Sequence, residues 1–241
     1  MNEIDIQEAL SDLSLGGLLF FPQTTSTNDI AIEWALKGAP EFSLVYAEEQ
    51  TRGRGRSSRS WVTNPGTGLA FSVNLHPTVG EEKHLQRFTA LGALAVSEAV
   101  EALGLLPKIK WPNDILLNGR KFCGILAESG WQDDHALYVV LGIGVNVSPG
   151  SVPVDEALNY PATCLEAEIH TSCSRLSLLH EILKYLIKWR PLLSEDVFLG
   201  AWEKRLALLG EKVSLRGGTE GETIGWVQGL DPDGSLRLSS L

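Results

Sequence analysis

The chain has 241 residues, of which 44% are hydrophobic and 21% charged, and its 30 Asp and Glu outnumber its 20 Lys and Arg to give a formal net charge of -10. This length is enough for one full-sized domain and a small second one. The acidity argues against a nucleic-acid partner, which requires a broad basic face. No apolar run reaches the roughly 20 residues of a membrane span, and the acidic start lacks the features of a signal peptide. We therefore expect a soluble, cytoplasmic protein without a membrane partner.

The three cysteines, Cys123, Cys164 and Cys173, are odd in number and scattered along the chain. This usage argues against a disulfide framework and fits a reducing compartment. Cys164, His170 and Cys173 lie close together, but no second ligand pair at zinc-like spacing accompanies them. We therefore expect no zinc site in this segment.

Hydrophobic periodicity and turn residues predict the secondary structure. In chain order, the predicted elements are a strand over 17–21, a polar turn at 24–28, a helix over 29–37, strands over 43–47 and 68–75, a helix over 84–103, strands over 115–117, 122–126 and 137–147, helices over 177–193 and 195–209, and short β segments over 212–215, 223–227 and 235–238. Asn118-Gly119 separates two apolar runs and is a strong hairpin signal. The alternation of short β segments with glycine turns after Gly210 is typical of a small antiparallel barrel. We expect a domain boundary near Leu209, between residues 1–209 and residues 210–241.

A basic loop, Arg52-Gly53-Arg54-Gly55-Arg56-Ser57-Ser58-Arg59, stands out in this acidic chain. Its glycines and serines allow tight turns and leave backbone N–H groups free, and each guanidinium offers paired donors that match carboxylate or phosphate oxygens. These properties indicate an anionic ligand. The alternative is a solvated, flexible loop that binds RNA loosely.

Lys110-Trp111-Pro112-Asn113-Asp114 is a second unusual segment, because a proline and two short polar residues interrupt a strand entry. We expect it to present Asn113 and Asp114 at a strand end. The hairpin at Asn118-Gly119 can fold Lys121 back beside Asp114, where a lysine can clamp a phosphate or acyl-phosphate oxygen. Taken alone, the segment is also compatible with a structural turn, and Lys121 with an exposed hairpin residue.

The segment Gly142-Ile143-Gly144-Val145-Asn146 places two glycines inside a buried strand. Such glycines indicate a bulge or the close approach of a ligand to the backbone. The segment lacks the third glycine and the following helix of a dinucleotide fingerprint.

Together, in this order, these motifs resemble the biotin protein ligase family. The segments that carry the resemblance are Ser26-Thr27-Asn28, Glu48-Glu49-Gln50 leading into Gly53-Arg54-Gly55-Arg56, Lys110-Trp111-Pro112-Asn113-Asp114, Lys121-Phe122-Cys123-Gly124-Ile125-Leu126 and Gly142-Ile143-Gly144-Val145-Asn146. The resemblance covers most of residues 17–150, and the C-terminal β segment is similar to the SH3-like domain of that family. It implies an α+β fold, in which a mixed or antiparallel central sheet packed with helices forms a class II synthetase-like catalytic domain, followed by a small SH3-like β-barrel.

The resemblance also implies a two-step reaction with ATP and biotin as substrates and Mg²⁺ as cofactor. The biotin carboxylate attacks the α-phosphate of ATP to form biotinyl-5′-adenylate, and a carrier lysine then attacks the activated carbonyl. By the resemblance, the biotin-binding residues are Ser26, Thr27, Asn28, Gln50, Gly53, Arg54, Gly55, Arg56, Lys121, Gly124 and Gly142. The residues that contact ATP or the adenylate are Arg56, Arg59, Asn113, Asp114, Lys121 and Asn146. Lys121, Arg56 and Asp114 are the implied catalytic residues, and Asp114 borders the magnesium ion.

The implied carrier is the biotin carboxyl carrier protein of acetyl-CoA carboxylase, and the resemblance allows a homodimer. About 16 residues precede the first predicted strand, so we expect a monofunctional ligase without the winged helix that binds DNA in some relatives. Two departures stand out: Ser57-Ser58 precede Arg59 where the family commonly has a glycine, and the C-terminal segment is short.

Three other functions remain open from the sequence. One is a lipoate or octanoate ligase of the same fold, whose usual motifs differ from the arginine loop and from Trp111-Pro112-Asn113-Asp114. The other two are not enzymes: an RNA-binding protein that uses the arginine loop, and a biotin sensor without activity. The acidic pI of about 5.0 argues against the RNA-binding protein, and intact Lys121 and Asp114 argue against the inactive biotin sensor.

Overall fold

The structure is a computed structural model that describes residues 1–57, 59–153, 160–218 and 221–239, with only the backbone of residues 216–218. Ser58 of the arginine loop and the last two residues, 240–241, therefore lie outside the described residues. In chain order the elements are α1 (Glu3–Ala9), β1 (Gly17–Phe21), α2 (Thr27–Leu36), β2 (Ser43–Ala47), β3 (Gly68–Leu75), α3 (Leu85–Glu101), β4 (Lys108–Lys110), β5 (Asp114–Leu117), β6 (Arg120–Gln132), β7 (His135–Asn146), α4 (Leu165–Ile169), α5 (Arg175–Trp189), α6 (Asp196–Lys204), β8 (Lys212–Gly218), β9 (Gly221–Leu230) and β10 (Leu236–Ser239).

Seven strands form the central sheet in the order β1-β2-β3-β7-β6-β5-β4. β1 and β2 are parallel, and every other neighbouring pair is antiparallel, so the predicted mixed sheet is confirmed. The apolar residues of β3 that alternate as Leu69, Phe71, Val73 and Leu75 are buried in the main core with α3 and α5. The opposite face carries α2 over β2, β3 and β7. The remainder of that face, over β5 and β6, is where the site described below lies.

Several predicted element boundaries were wrong. α2 begins at Thr27, two residues before the predicted start, so Thr27 and Asn28 lie in its first turn and not in a polar turn. β6 continues to Gln132, well beyond the predicted end, because it pairs along its length with β7. The helix predicted over 195–209 ends at Lys204, since the following residues form a bridge between Ile109 and Leu206. The helices α1 and α4 and the short strand β4 were not predicted.

The strands β8, β9 and β10 form a separate antiparallel sheet in the order β10-β9-β8. This arrangement is consistent with the predicted SH3-like unit. The turn before β10 packs against the larger part of the molecule, where Trp111 Nε1 donates to the Gly234 carbonyl at 3.0 Å and Arg87 donates to the Pro232 carbonyl. The small sheet thus contacts the segment that leads to Asn113 and Asp114, and the boundary near Leu209 stays a prediction.

Part of the arginine loop adopts a conformation that glycine favours. Ser57 has a φ of 55°, in the left-handed region. No helix within the described ranges is long and apolar enough to cross a membrane.

Candidate active site

A cavity of about 410 Å³ opens on the face of the central sheet beside α2. The predicted site residues that line it are Ser26, Thr27, Asn28, Gln50, Arg54, Gly55, Arg56, Arg59, Asn113, Asp114, Lys121, Gly124, Gly142 and Asn146. Gly53 does not line this cavity; it lines a second pocket beside the arginine loop, and an added Cβ at Gly53 would come 2.3 Å from the Trp61 carbonyl oxygen. The structure therefore brings almost every predicted residue to one cavity, although they come from six separate segments of the chain.

The floor of the cavity is a network of buried polar side chains around the first turn of α2. Gln50 Oε1 accepts hydrogen bonds from the Thr27 backbone N–H at 2.8 Å and from Thr27 Oγ1 at 3.1 Å. Asn28 is 4% exposed, and its Oδ1 accepts from Ser72 Oγ at 2.6 Å. Buried polar groups with such partners are held in one orientation, because each lost hydrogen bond leaves an unpaired atom away from water. Ser26 is 2% exposed, and its side chain makes no capping hydrogen bond to α2.

Glycines on β7 let side chains from two other segments come close to the strand. A Cβ at Gly142 would lie 2.1 Å from Asn28 Oδ1, and a Cβ at Gly144 would lie 2.3 Å from the ring of Trp61. Real Cβ atoms do not come this close to other heavy atoms. The strand glycines flagged in the sequence thus accommodate the protein's own Asn28 and Trp61 at the cavity wall.

Lys121 and Asp114 form an ion pair at the cavity, with Nζ 2.6 Å from Oδ1. The prediction that the hairpin places these residues together is confirmed. Asn118 and Gly119 have φ values of 48° and 74°, as a tight two-residue hairpin turn requires. The Trp111–Pro112 peptide bond that precedes Asn113 and Asp114 is cis.

A bulge in β6 turns Lys121 toward the cavity. Leu116 pairs with Lys121, but the neighbouring Ile115 pairs with Cys123, so Phe122 is the extra residue. Strict alternation along β6 would place Lys121 on the same face as Cys123, which is buried in the main core. The bulge breaks the alternation, and Lys121 lines the cavity together with Gly124.

The arginine loop lines one side of the cavity, and the side chain of Arg54 ties it to two carboxylates. Arg54 Nη1 and Nη2 donate to Glu128 Oε1 and Oε2 at 2.9 Å and 2.7 Å, and Nη2 lies 2.8 Å from Asp29 Oδ1. Arg56 and Arg59 also line the cavity, and neither forms a salt bridge with any described residue. Their charges are therefore available to an anionic ligand, whereas the charge of Arg54 is compensated by two carboxylates.

Burial and ion pairing shift two pKa values near the site. Burial raises the pKa of Cys123, with Lys121 opposing and Asp114 adding to the rise, so this thiol stays protonated and is no nucleophile. Burial raises the pKa of Glu48, which follows β2, but hydrogen bonds and charge from Arg175 and the Met1 amino group together outweigh burial, and the pKa lies below its usual range.

The side chains around Asp114 do not form a protein metal cage. Asp114 is already paired with Lys121, and Asn113 Nδ2 donates to the Ile125 carbonyl at 2.9 Å. Within the described part of the chain, no group of three or more His, Cys, Asp and Glu side chains could hold a metal ion. A magnesium ion bound largely through substrate phosphates, with one carboxylate nearby, remains compatible with this donor set.

Several residues of the site were not predicted from the sequence. Trp61 follows the arginine loop, and its ring lies over Gly144 with Lys121 Nζ 5.6 Å from the ring centroid. Ser72 is a polar residue in the apolar strand β3, and this was a usable signal for a site residue. Nothing in the sequence marks Glu128 as a site residue, because its partners Asn28 and Arg54 are far away along the chain. Tyr160 and Ala162 also line the cavity. In the sequence they follow residues 154–159, which are outside the described ranges.

Comparisons with known proteins agree with this arrangement. Residues 20–146 match the profile of the Biotin/lipoate A/B protein ligase family. The chain is 34% identical over 224 residues to a biotin–[acetyl-CoA-carboxylase] ligase of Paracoccus denitrificans, covering 90% of this chain and 91% of the relative. It is also 34% identical over 245 residues to the bifunctional ligase/repressor BirA of Bacillus spizizenii, covering 100% of this chain and 75% of BirA. The biotin protein ligase of Aquifex aeolicus, solved with biotin and ATP, superimposes with a TM-score of 0.76 at 30% identity, covering 92% of this chain and 91% of that one.

Proposed function

The chain belongs to the Biotin/lipoate A/B protein ligase family, and we propose that it is an ATP-dependent biotin protein ligase that modifies a carrier lysine. The observation that carries the proposal is the position of Lys121, which is paired with Asp114 and lines the same cavity as the polar floor and as Arg56 and Arg59, two arginines without a salt bridge to any described residue. Such an arrangement suits the joining of two anions, because preorganised cations compensate charge that water would otherwise have to reorganise around.

In the first step, an oxygen of the biotin carboxylate forms a bond to the α-phosphorus of ATP, and pyrophosphate leaves. We assign the head group of biotin to the floor, where Ser26, Thr27 and Asn28 offer donors and acceptors for a ureido group. Lys121 contacts both the carboxylate and the α-phosphate, and Arg56 and Arg59 contact the phosphates. Asn113, Asp114 and Asn146 border the nucleotide. Magnesium, held through the phosphates of ATP, supplies further charge compensation when it is bound.

In the second step, the amine of a carrier lysine attacks the acyl carbon, and AMP leaves as the acyl–phosphate bond breaks. The carrier assigned here is the biotin carboxyl carrier protein of acetyl-CoA carboxylase, by analogy with the names of the relatives. The cytoplasmic location, the homodimer and the absence of DNA binding stay predictions.

Biotin-dependent exchange of labelled pyrophosphate into ATP tests the proposal without a carrier. Exchange is expected with biotin and not with lipoate or octanoate. Exchange with lipoate or octanoate alone would assign the chain to the sister ligases, and silence with all three would favour a binding protein.

Lys121→Ala tests the residue to which the proposal gives the central role. We expect the barrier to adenylation to rise by about 2–4 kcal/mol, because one charged partner of the developing negative charge is lost. The measurement is the rate of pyrophosphate exchange with saturating biotin and ATP. Lys108→Ala, at an exposed position of β4, is the matched control. Exchange at the wild-type rate in Lys121→Ala would remove this lysine from the mechanism.

A further inference from the structure

One carboxylate connects the floor of the cavity to the arginine loop. Glu128 lies on β6, two residues beyond the cavity-lining Leu126. Its Oε2 accepts a hydrogen bond from Asn28 Nδ2 at 2.7 Å, and its two oxygens accept from both terminal nitrogens of Arg54. Asn28 in turn accepts from Ser72. A continuous chain of hydrogen bonds thus runs from the buried strand β3 through Asn28 and Glu128 to the loop.

Arg54 stands at the base of the loop. It forms an antiparallel bridge with Ser60, and the backbone N–H of Gly55 donates to the Arg59 carbonyl at 2.7 Å. These two contacts join the two ends of the loop, and Arg56 and Arg59 lie between those ends. Holding the side chain of Arg54 therefore sets the position of the guanidinium groups of Arg56 and Arg59 at the cavity.

The contact between Glu128 and Arg54 differs from an ordinary surface ion pair. Its side chains are 27% and 39% exposed, and exposed pairs usually contribute little. However, a carboxylate that meets a guanidinium through two parallel hydrogen bonds has a defined geometry and a stronger interaction. Asp29, on the other side, adds a second negative charge at 2.8 Å. The guanidinium of Arg54 is thus satisfied within the protein.

We infer that Glu128 is a positioning residue that fastens the arginine loop to the cavity floor through Arg54. The guanidinium of Arg54 then serves closure of the site, and only Arg56 and Arg59 present their charges to the ligand. Because Glu128 also holds Asn28, loop closure and the orientation of the floor are coupled through a single side chain.

The loop itself provides a test that needs no ligand. Trypsin cleaves after arginine, and we expect cleavage after Arg56 and Arg59 to be about fivefold faster in Glu128→Gln than in the wild type, because a bidentate charged contact is lost. Arg54→Gln is expected to give at least this acceleration, because it also removes the ion pair with Asp29. The double variant should be cleaved no faster than Arg54→Gln, because both substitutions break the contact between Arg54 and Glu128. Glu49→Gln removes a nearby carboxylate that contacts Gln23 and not the loop, and it should match the wild type.

Three results of the trypsin experiment would overturn the inference. One is cleavage of the loop at the wild-type rate in Glu128→Gln. Another is acceleration at arginines throughout the chain, with an equal loss of unfolding free energy, since that would make Glu128 a general stabilising residue. Additive effects in the double variant would likewise separate Glu128 from Arg54.

A kinetic readout rests on the proposed function. If the loop is open for a larger fraction of the time, the apparent affinity for biotin falls in proportion to the fraction of protein in which the loop is closed. Chemistry in the closed state is unchanged. We expect the KM for biotin in pyrophosphate exchange to rise about fivefold in Glu128→Gln and kcat to change less than about twofold. A loss of kcat at an unchanged KM would contradict a positioning role. Absence of exchange in the wild type would reject the proposed function, and the trypsin result would still decide the role of Glu128.

Discussion

The cavity floor and the arginine loop are both built from polar residues, but the protein holds them in different ways. On the floor, Thr27, Asn28 and Ser72 are buried, and their side chains bond to one another or to Gln50. On the loop, the contacts of Arg54 with Glu128 and Asp29 are partly exposed, and Arg56 and Arg59 form no salt bridge within the described residues. The difference indicates that the floor provides a fixed surface for recognition, while the loop provides positive charge at a partly exposed side of the cavity.

The two strand glycines allow the sharpest comparison of floor and loop. Gly142→Ala forces the new methyl group against Asn28, which cannot move without losing buried hydrogen bonds, so we expect the free energy of unfolding to fall by about 1–3 kcal/mol. Gly144→Ala meets the ring of Trp61, the far end of a side chain from the loop segment, and we expect a loss of about 1 kcal/mol or less. Urea denaturation of both variants measures the difference. Equal losses would show that Trp61 is held as firmly as Asn28.

A second comparison removes one polar contact from each region. Ser72→Ala leaves Asn28 Oδ1 without its buried donor, and we expect it to destabilise the protein by about 1–2 kcal/mol. Asp29→Asn weakens an exposed ion pair with Arg54 and should cost about 0.5 kcal/mol. Thermal and urea unfolding report both values. A larger loss in Asp29→Asn than in Ser72→Ala would reverse the assignment of rigid floor and adaptable loop.

The smallest expected effect is on the pH dependence of stability, through Glu48, which follows β2 and leads into the arginine loop. Despite burial, Arg175 and the Met1 amino group together hold the pKa of Glu48 below its ordinary value. Glu48 therefore stabilises the fold at neutral pH, and this contribution is lost as the pH falls from about 4 through the lowered pKa. Glu48→Gln should therefore be less stable than the wild type at pH 7, with a smaller further loss on acidification. The control is Glu33→Gln, at an exposed position of α2. Parallel stability curves for wild type and Glu48→Gln would contradict the role given to Arg175 and the Met1 amino group.

Local features of the site could be predicted because their partners are near in sequence. Asn118-Gly119 requires a tight turn, and that turn brings the strand of Lys121 back alongside Asp114, with which Lys121 pairs at 2.6 Å. The strand over 68–75 was also correct, since its apolar run is bounded by glycine and proline turns. By contrast, the start of α2 was predicted two residues too late, because Thr27 and Asn28 are as typical of turns as of a first helical turn.

Contacts between distant segments could not be predicted. The extra residue Phe122, which sets the direction of Lys121, follows from the pairing of β6 with β5 and is not encoded in the alternation of β6 alone. Glu128 is 100 residues from Asn28 and 74 from Arg54. Nothing in the spacing of these residues indicates that they meet.

The sequence by itself determined which chemical groups this protein can bring to a reaction: a set of arginines on a glycine-rich loop, a hairpin lysine beside a carboxylate, and glycines where a strand must be approached closely. These are local properties, fixed by side-chain chemistry and by the backbone conformations that each residue allows. The tertiary structure decided which of the loop arginines is paired with carboxylates. Arg54 is compensated by Glu128 and Asp29, while Arg56 and Arg59 line the cavity without a salt bridge to any described residue, because the pairing of β6 with β7 and the packing of α2 bring these carboxylates to Arg54.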